Sequence, residues 1–208
     1  MQAVISPGTY LKGTDDDGNL INYNLLGREV ELNLSDFQNR TAGMKPKTRQ
    51  FEGKVCARIV RNVSGGVLVA SRVAQFDLST EPSRDASDDT ILLTSGTAGV
   101  PMMTTVAKES DGAGLKFCGV VDPSLKEDVP DDAIFLLITK GVTLARMTVA
   151  GSELVPGSII VSAAAGRIEL RAAEAVDTYL ATSLETRTVA ANAGELALVN
   201  WCPTVQLA

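Results

Sequence analysis

Histidine is absent from all 208 residues, and that gap removes Ser-His and Cys-His catalysis, the usual general base near neutral pH, and histidine metal sites. Aromatics make up 4% of the chain, with Trp201 the sole tryptophan. Stacking platforms for single-stranded nucleic acid or sugars are therefore poorly supplied, and Val, Leu, Ile and Ala must fill the core. Cys56, Cys118 and Cys202 are odd in number and far apart, which suits a reducing compartment and small apolar packing better than a disulfide framework. No apolar run approaches the length of a membrane span, and the N-terminus lacks a basic start followed by an apolar block. The expectation is a protein made and kept in a cytoplasm, with no membrane partner.

What is present is ordinary for a folded domain: 45% hydrophobic and 21% charged residues, enough chain to bury a real core. A formal net charge of -6 opposes binding to nucleic-acid phosphates, which draws its affinity from clustered Lys and Arg. Lys45, Lys47, Arg49, Lys54, Arg58 and Arg61 form a local basic spot, read as a solvated or partner-facing segment rather than a nucleic-acid site.

The stretch 133–170 reads as consecutive short strands separated by glycine turns. Its first run, Ala133 to Thr139, is apolar and β-branched; Lys140-Gly141 breaks it, and Val142 to Val149 resumes, which predicts a hairpin. Ser158 to Ala163 and Arg167 to Leu170 are two further strands around the tight turn at Ala165-Gly166. Upstream, Lys54 to Arg61 and Val67 to Phe76 flank an Asn62–Gly66 turn and predict another hairpin. Short strands follow at 91–93, 100–107 and 115–122, with polar or acidic loops at 77–90, 109–114 and 123–132. The segment 171–178 is a short helical turn or a loop, and strands at 179–184 and 196–201 close the sheet. The sum is all-β: a small β-barrel or β-sandwich of short antiparallel strands. No sustained 3.6-residue period supports a packed helix.

Residues 1–50 differ from the remainder, with turn chemistry at Ser6-Pro7-Gly8 and at Asp15-Asp16-Asp17-Gly18-Asn19 and one alternating run, Val30 to Leu34. They are expected to form an extended N-terminal arm or lead-in, with 51–208 as the β-rich domain, divisible at 110/111 into two β subdomains. The aspartate cluster resembles the start of a calcium loop, but the twelfth position counted from Asp15 is Leu26 rather than Glu, so a plain surface turn is expected. Ser95 to Gly99 is glycine-rich but lacks the Lys-Ser or Lys-Thr ending of a phosphate loop. Ser and Lys, or Cys56 and Cys118, are the remaining nucleophile candidates, and no base is visible beside them. No catalytic, metal or cofactor residue is assigned, and the chain is not expected to be an enzyme.

From Gly119 onward the order of parts is distinctive. Gly119-Val120-Val121, an acidic loop, an apolar strand, Lys140-Gly141-Val142, Ala150-Gly151-Ser152, Val155-Pro156-Gly157-Ser158, Ala164-Ala165-Gly166-Arg167 and Ala193-Gly194-Glu195 precede a last strand. This resembles the small β-barrel decoration, or cement, proteins of tailed-bacteriophage capsids, over about the last ninety residues. The resemblance implies a structural virion protein on the capsid exterior, assembled in the host cytoplasm. It would bridge adjacent capsomers of the major capsid protein and pair with itself as a homotrimer or homodimer, with no cofactor and no direct nucleic acid. The alternative is a fibre or tail component that binds a host surface, a role the scarcity of aromatics disfavours. Under either reading the expected partner contacts are Tyr10, Tyr23, Leu25 and Leu26 on the arm, and Asp128 and Asp131 on the acidic loop.

Overall fold

A computed structural model describes residues 5–19, 21–33, 54–76, 83–84, 91–92, 94–95, 100–101, 105–109, 118–148, 153–170, 178–186 and 196–205. The fold is all-β: among the described residues 54% are strand and 4% helix, and the pairing is mostly antiparallel. The strands are β1 (Glu29–Asn33), β2 (Lys54–Asn62), β3 (Val73–Phe76), the two-residue pieces β4 (Ser83–Arg84), β5 (Ile91–Leu92), β6 (Thr94–Ser95) and β7 (Val100–Pro101), then β8 (Thr105–Glu109), β9 (Cys118–Val121), β10 (Ile134–Arg146), β11 (Ile159–Ala163), β12 (Arg167–Leu170), β13 (Thr178–Ser183) and β14 (Leu196–Val205). Ten of them form one sheet in the order β1-β2-β8-β3-β9-β10-β14-β13-β11-β12, and a further β2–β10 pairing curls that sheet back on itself. The barrel is not closed: among the described residues β1 and β12, the two ends of the order, do not pair.

The strand on which this arrangement turns is β10. Its first half pairs with β2 from Ile134↔Arg61 onward and with β9 at Leu137↔Val121 and Ile138↔Val120; its second half pairs with β14 from Gly141↔Trp201 to Arg146↔Leu196. The expected hairpin break at Lys140-Gly141 is therefore corrected to a bend within one 13-residue strand. A register shift between Ile138 and Lys140 and a left-handed Gly141 at φ 110° absorb the change of direction. A side chain at Gly141 would also crowd the Lys54 carbonyl oxygen, 2.8 Å from where its Cβ would lie.

The run IFLLI does not alternate because β10 is buried on both faces. Ile134, Leu136 and Ile138 belong to the larger core cluster, and Phe135 and Leu137 to the smaller one. Its neighbour β9 divides in the same way, with Val120 in one cluster and Val121 in the other. The second half of the chain caps the larger cluster with Leu154, Ile160, Ile168, Leu180 and Trp201.

Two expectations about the first half change. The segment after Asn62 does not return against β2: it makes a bridge at Leu68↔Val129, turns at a left-handed Ser71 (φ 65°), and only then enters β3, which pairs with β8 and β9. The described parts of the lead-in, 5–19 and 21–33, lie on the sheet rather than away from it. Ile5, Leu25 and Leu26 are buried members of the larger cluster, Leu11 bridges to Ile134, and β1 pairs with β2 along five positions. Short apolar patches separated by turns read as an arm; here Ile5, Leu25 and Leu26 are each buried in the core. Residues 34–50 lie outside the described residues, as do the predicted 109–114 turn, apart from Glu109, and the 171–178 segment, apart from Thr178 at the start of β13. The loop expected at 77–90 is described only at β4.

The chain's start is thus expected to contribute to stability. Leu25→Ala should cost about 2–5 kcal/mol in urea unfolding, the usual range for a buried leucine. A change under about 0.5 kcal/mol would show that Leu25 packs against nothing in solution.

Candidate functional site: a braced two-loop platform

The loop after β2 and the acidic loop before β10 are held together by one buried side chain. Asn62 is 0% exposed. Its amide donates to the carbonyls of Gly66 (2.7 Å), Val129 (3.2 Å) and Pro130 (2.9 Å), and its side-chain oxygen accepts from the amide and hydroxyl of Ser64 (3.0 and 2.7 Å). The Asn62 backbone adds a donation to Ala133 and an acceptance from Asp132, each at 2.8 Å. Leu68 and Val129 exchange two backbone bonds, and Gly65 N–H donates to the Asp131 carboxylate at 3.0 Å. A buried polar group so fully satisfied rigidifies what it touches.

Two carboxylates tie the chain's start to this platform. Asp122, 0% exposed, accepts from Gly8 N–H at 2.6 Å and Ser124 N–H at 2.8 Å. Asp132, at a left-handed φ of 66°, pairs with Arg61 and accepts from the Thr14 hydroxyl at 2.5 Å. Burial pulls the Arg61 guanidinium below its ordinary value, and the nearby Asp131 charge acts in the opposite direction. Gly13 lies so close that a side chain there would overlap the Asp132 carbonyl.

Between the chain's start and the acidic loop lies a cleft of about 390 Å³, lined among others by Tyr10, Lys12, Asp15, Pro130, Asp131 and Asp132. Two of the expected contact residues, Tyr10 and Asp131, thus come together from the start and the middle of the sequence. Tyr10 is half-buried against the smaller core cluster and Asp131 is exposed. Asp128 is exposed on the same loop. Leu25 and Leu26, at 4% and 8% exposure, are core residues and are corrected accordingly. Tyr23 opens the 3-10 turn Tyr23–Leu25, and its side chain lies outside the description. At the tip Val67 is 61% exposed.

The aspartate cluster is the plain turn expected of it. Asp15 accepts from the backbone amides of Asp17 and Asn19 and from the Asn19 side chain, and Gly18 is left-handed at φ 82°. Those bonds, the Asn19 side chain first, hold the Asp15 carboxyl below its ordinary value. Among the described residues no group of three or more Cys, Asp or Glu is placed to hold a metal ion. The described members of the basic spot are all paired: Lys54 with Glu31, Arg58 with Glu29 and Arg61 with Asp132. Lys45, Lys47 and Arg49 lie outside the described residues.

Sequence reasoning missed Asn62, Asp122 and Asp132. Asn62 looked like an ordinary turn residue in NVSGG. Asp122 did carry a signal, because Asp-Pro-Ser closing an apolar strand is the signature of a side chain that bonds its own backbone two residues on. No family model, no curated protein and no solved structure matches the chain.

Asn62→Ala should destabilise by about 1–3 kcal/mol, since it removes the donor and leaves buried carbonyls unmet; an unchanged midpoint in thermal or urea melts would show that the loops do not depend on it. For Asp15 the depressed value means that the turn's carboxylate contribution is present above the unfolded value and lost as pH falls through the folded one. An NMR titration should place Asp15 below 3.8, and Asn19→Ala should raise it; a midpoint at or above 3.8 contradicts the turn geometry.

Proposed function

We propose that this protein is a structural, partner-binding β-module of the capsid-decoration kind, acting on the outside of a phage head by bridging capsomers of the major capsid protein. The observation that supports this reading best is the braced platform: loops from both halves of the chain are locked by Asn62, carry exposed Asp128, Asp131 and Val67, and adjoin a cleft with Tyr10. A rigid, pre-organised surface loses little conformational entropy on docking, so weak contacts repeated over a symmetric lattice add up. Self-association as a trimer or dimer belongs to the same proposal.

The test is a sedimentation assay with expanded heads of the cognate major capsid protein. The protein should co-sediment to a fixed stoichiometry and raise the temperature the heads survive. Asp128→Ala combined with Val67→Ser, both at exposed positions of the platform, should weaken binding about tenfold while the melting profile of the free protein stays close to the parent's. Heads that gain neither mass nor heat resistance at saturating protein would overturn the proposal.

A further inference from the structure

Two polar atoms on the inner face of the β10–β14 pair have no hydrogen-bond partner although both are sealed from solvent: the hydroxyl oxygen of Thr143, on a residue 1% exposed, and the indole nitrogen of Trp201, on a residue 0% exposed. The ladder makes their residues neighbours. Thr143 is opposite Val199 and Gly141 is opposite Trp201, so Thr143 and Trp201 are diagonal neighbours. Alternation puts Thr143, Val199 and Trp201 on one face, and diagonal Cβ atoms in such a pair are about 7–8 Å apart or somewhat less. Trp201 also faces a residue without a side chain at the bend of β10.

An indole N–H can only donate, whereas a hydroxyl can donate and accept. The two groups therefore differ in what they need, and both needs are met by a ligand that accepts from one and exchanges either role with the other. A water molecule does this, and buried waters typically occur where otherwise unsatisfied polar groups converge. On the same face Ala145, Ala197 and Val199 are buried and apolar, and the buried Ser183, opposite Val199 on β13, already donates its hydroxyl to the Glu185 carbonyl at 2.7 Å, so bulk solvent cannot serve.

We infer that Thr143 and Trp201 form a closed site for one internal water, which accepts the Trp201 N–H and bonds the Thr143 hydroxyl, pinning the second half of β10 to β14 just past the Gly141 bend. The site would serve the fold wherever the protein acts, and does not rest on the proposed partner.

Trp201 is the chain's sole tryptophan, so ¹⁵N-labelled protein gives a single indole resonance and the test is free of overlap. Water-selective NOE and ROE spectra of the unaltered protein should show a cross-peak from the indole proton to water with the sign of a long-lived bound molecule rather than of proton exchange. Thr143→Ser should keep that cross-peak and Thr143→Val should abolish it. Absence of the cross-peak in the unaltered protein, or its persistence unchanged in Thr143→Val, would overturn the inference. Should Thr143→Val fail to fold, a high-resolution crystal structure of the unaltered protein decides: density within hydrogen-bond distance of both atoms supports the site, and a dry contact refutes it.

Discussion

Burial of β10 on both of its faces is the constraint from which the rest follows. A strand covered on one side can end a sheet or face water. One whose odd and even residues both need cover must be packed from two directions. Here β2 and β9 flank its first half, the lead-in and the second half of the chain cover the face of Ile134, Leu136 and Ile138, and the loops around Leu68 and Val129 cover the face of Phe135 and Leu137. The bend at Gly141 then lets the same strand continue against β14. One continuous strand thus serves both parts of the sheet, where two strands joined by a turn would leave them less firmly coupled.

The polar architecture follows from this packing. Once β10 is enclosed, the loop that enters it must cross the top of a core, and its backbone groups need partners there. The side chains of Asn62 and Asp122 supply them, each satisfying backbone from a different stretch of the chain, while the Asp132 carboxylate holds the Arg61 and Thr14 side chains beside them. The result is a surface whose charged residues are exposed while its frame is fixed. A site that works by docking is served by this, because what it presents does not have to be ordered on contact. Edge strand β1 is guarded differently: Glu29 and Glu31 are each matched by a cation on β2, which contributes little to stability but puts charge along an edge that could otherwise pair with another chain.

The all-β class was legible because β-branched runs, glycine turns and the absence of a helical period all pointed one way. The β11–β12 hairpin and its turn at Ala165-Gly166 were legible too, since left-handed positions of that kind have a local signature. Strand pairing was not. Lys140-Gly141 has the composition of a hairpin turn, and only tertiary packing shows that the glycine bends a strand instead of ending it. Val67 to Phe76 likewise had the pattern of a returning strand, but the Leu68↔Val129 bridge captures its start. Where the lead-in packs was not legible for a related reason: Ile5, Leu25 and Leu26 are too few and too scattered to announce a core by periodicity. Of the platform, the exposed acidic residues were visible in the sequence, whereas the buried asparagine that braces their loops was not, because its donor's partners are carbonyls that no side-chain pattern records.

The central claim is that the lead-in, the platform and β10 form one rigid body. Native-state amide exchange tests it most directly at the backbone donors of Leu11 and Gly27, which bond Ile134 and Ile59, and at Asn62, which bonds Ala133. These amides should exchange only as slowly as the β10 core opens. If Leu11 and Gly27 exchange at the rates of free peptide while the β10 amides stay protected, the start of the chain is a detached arm after all and the account fails.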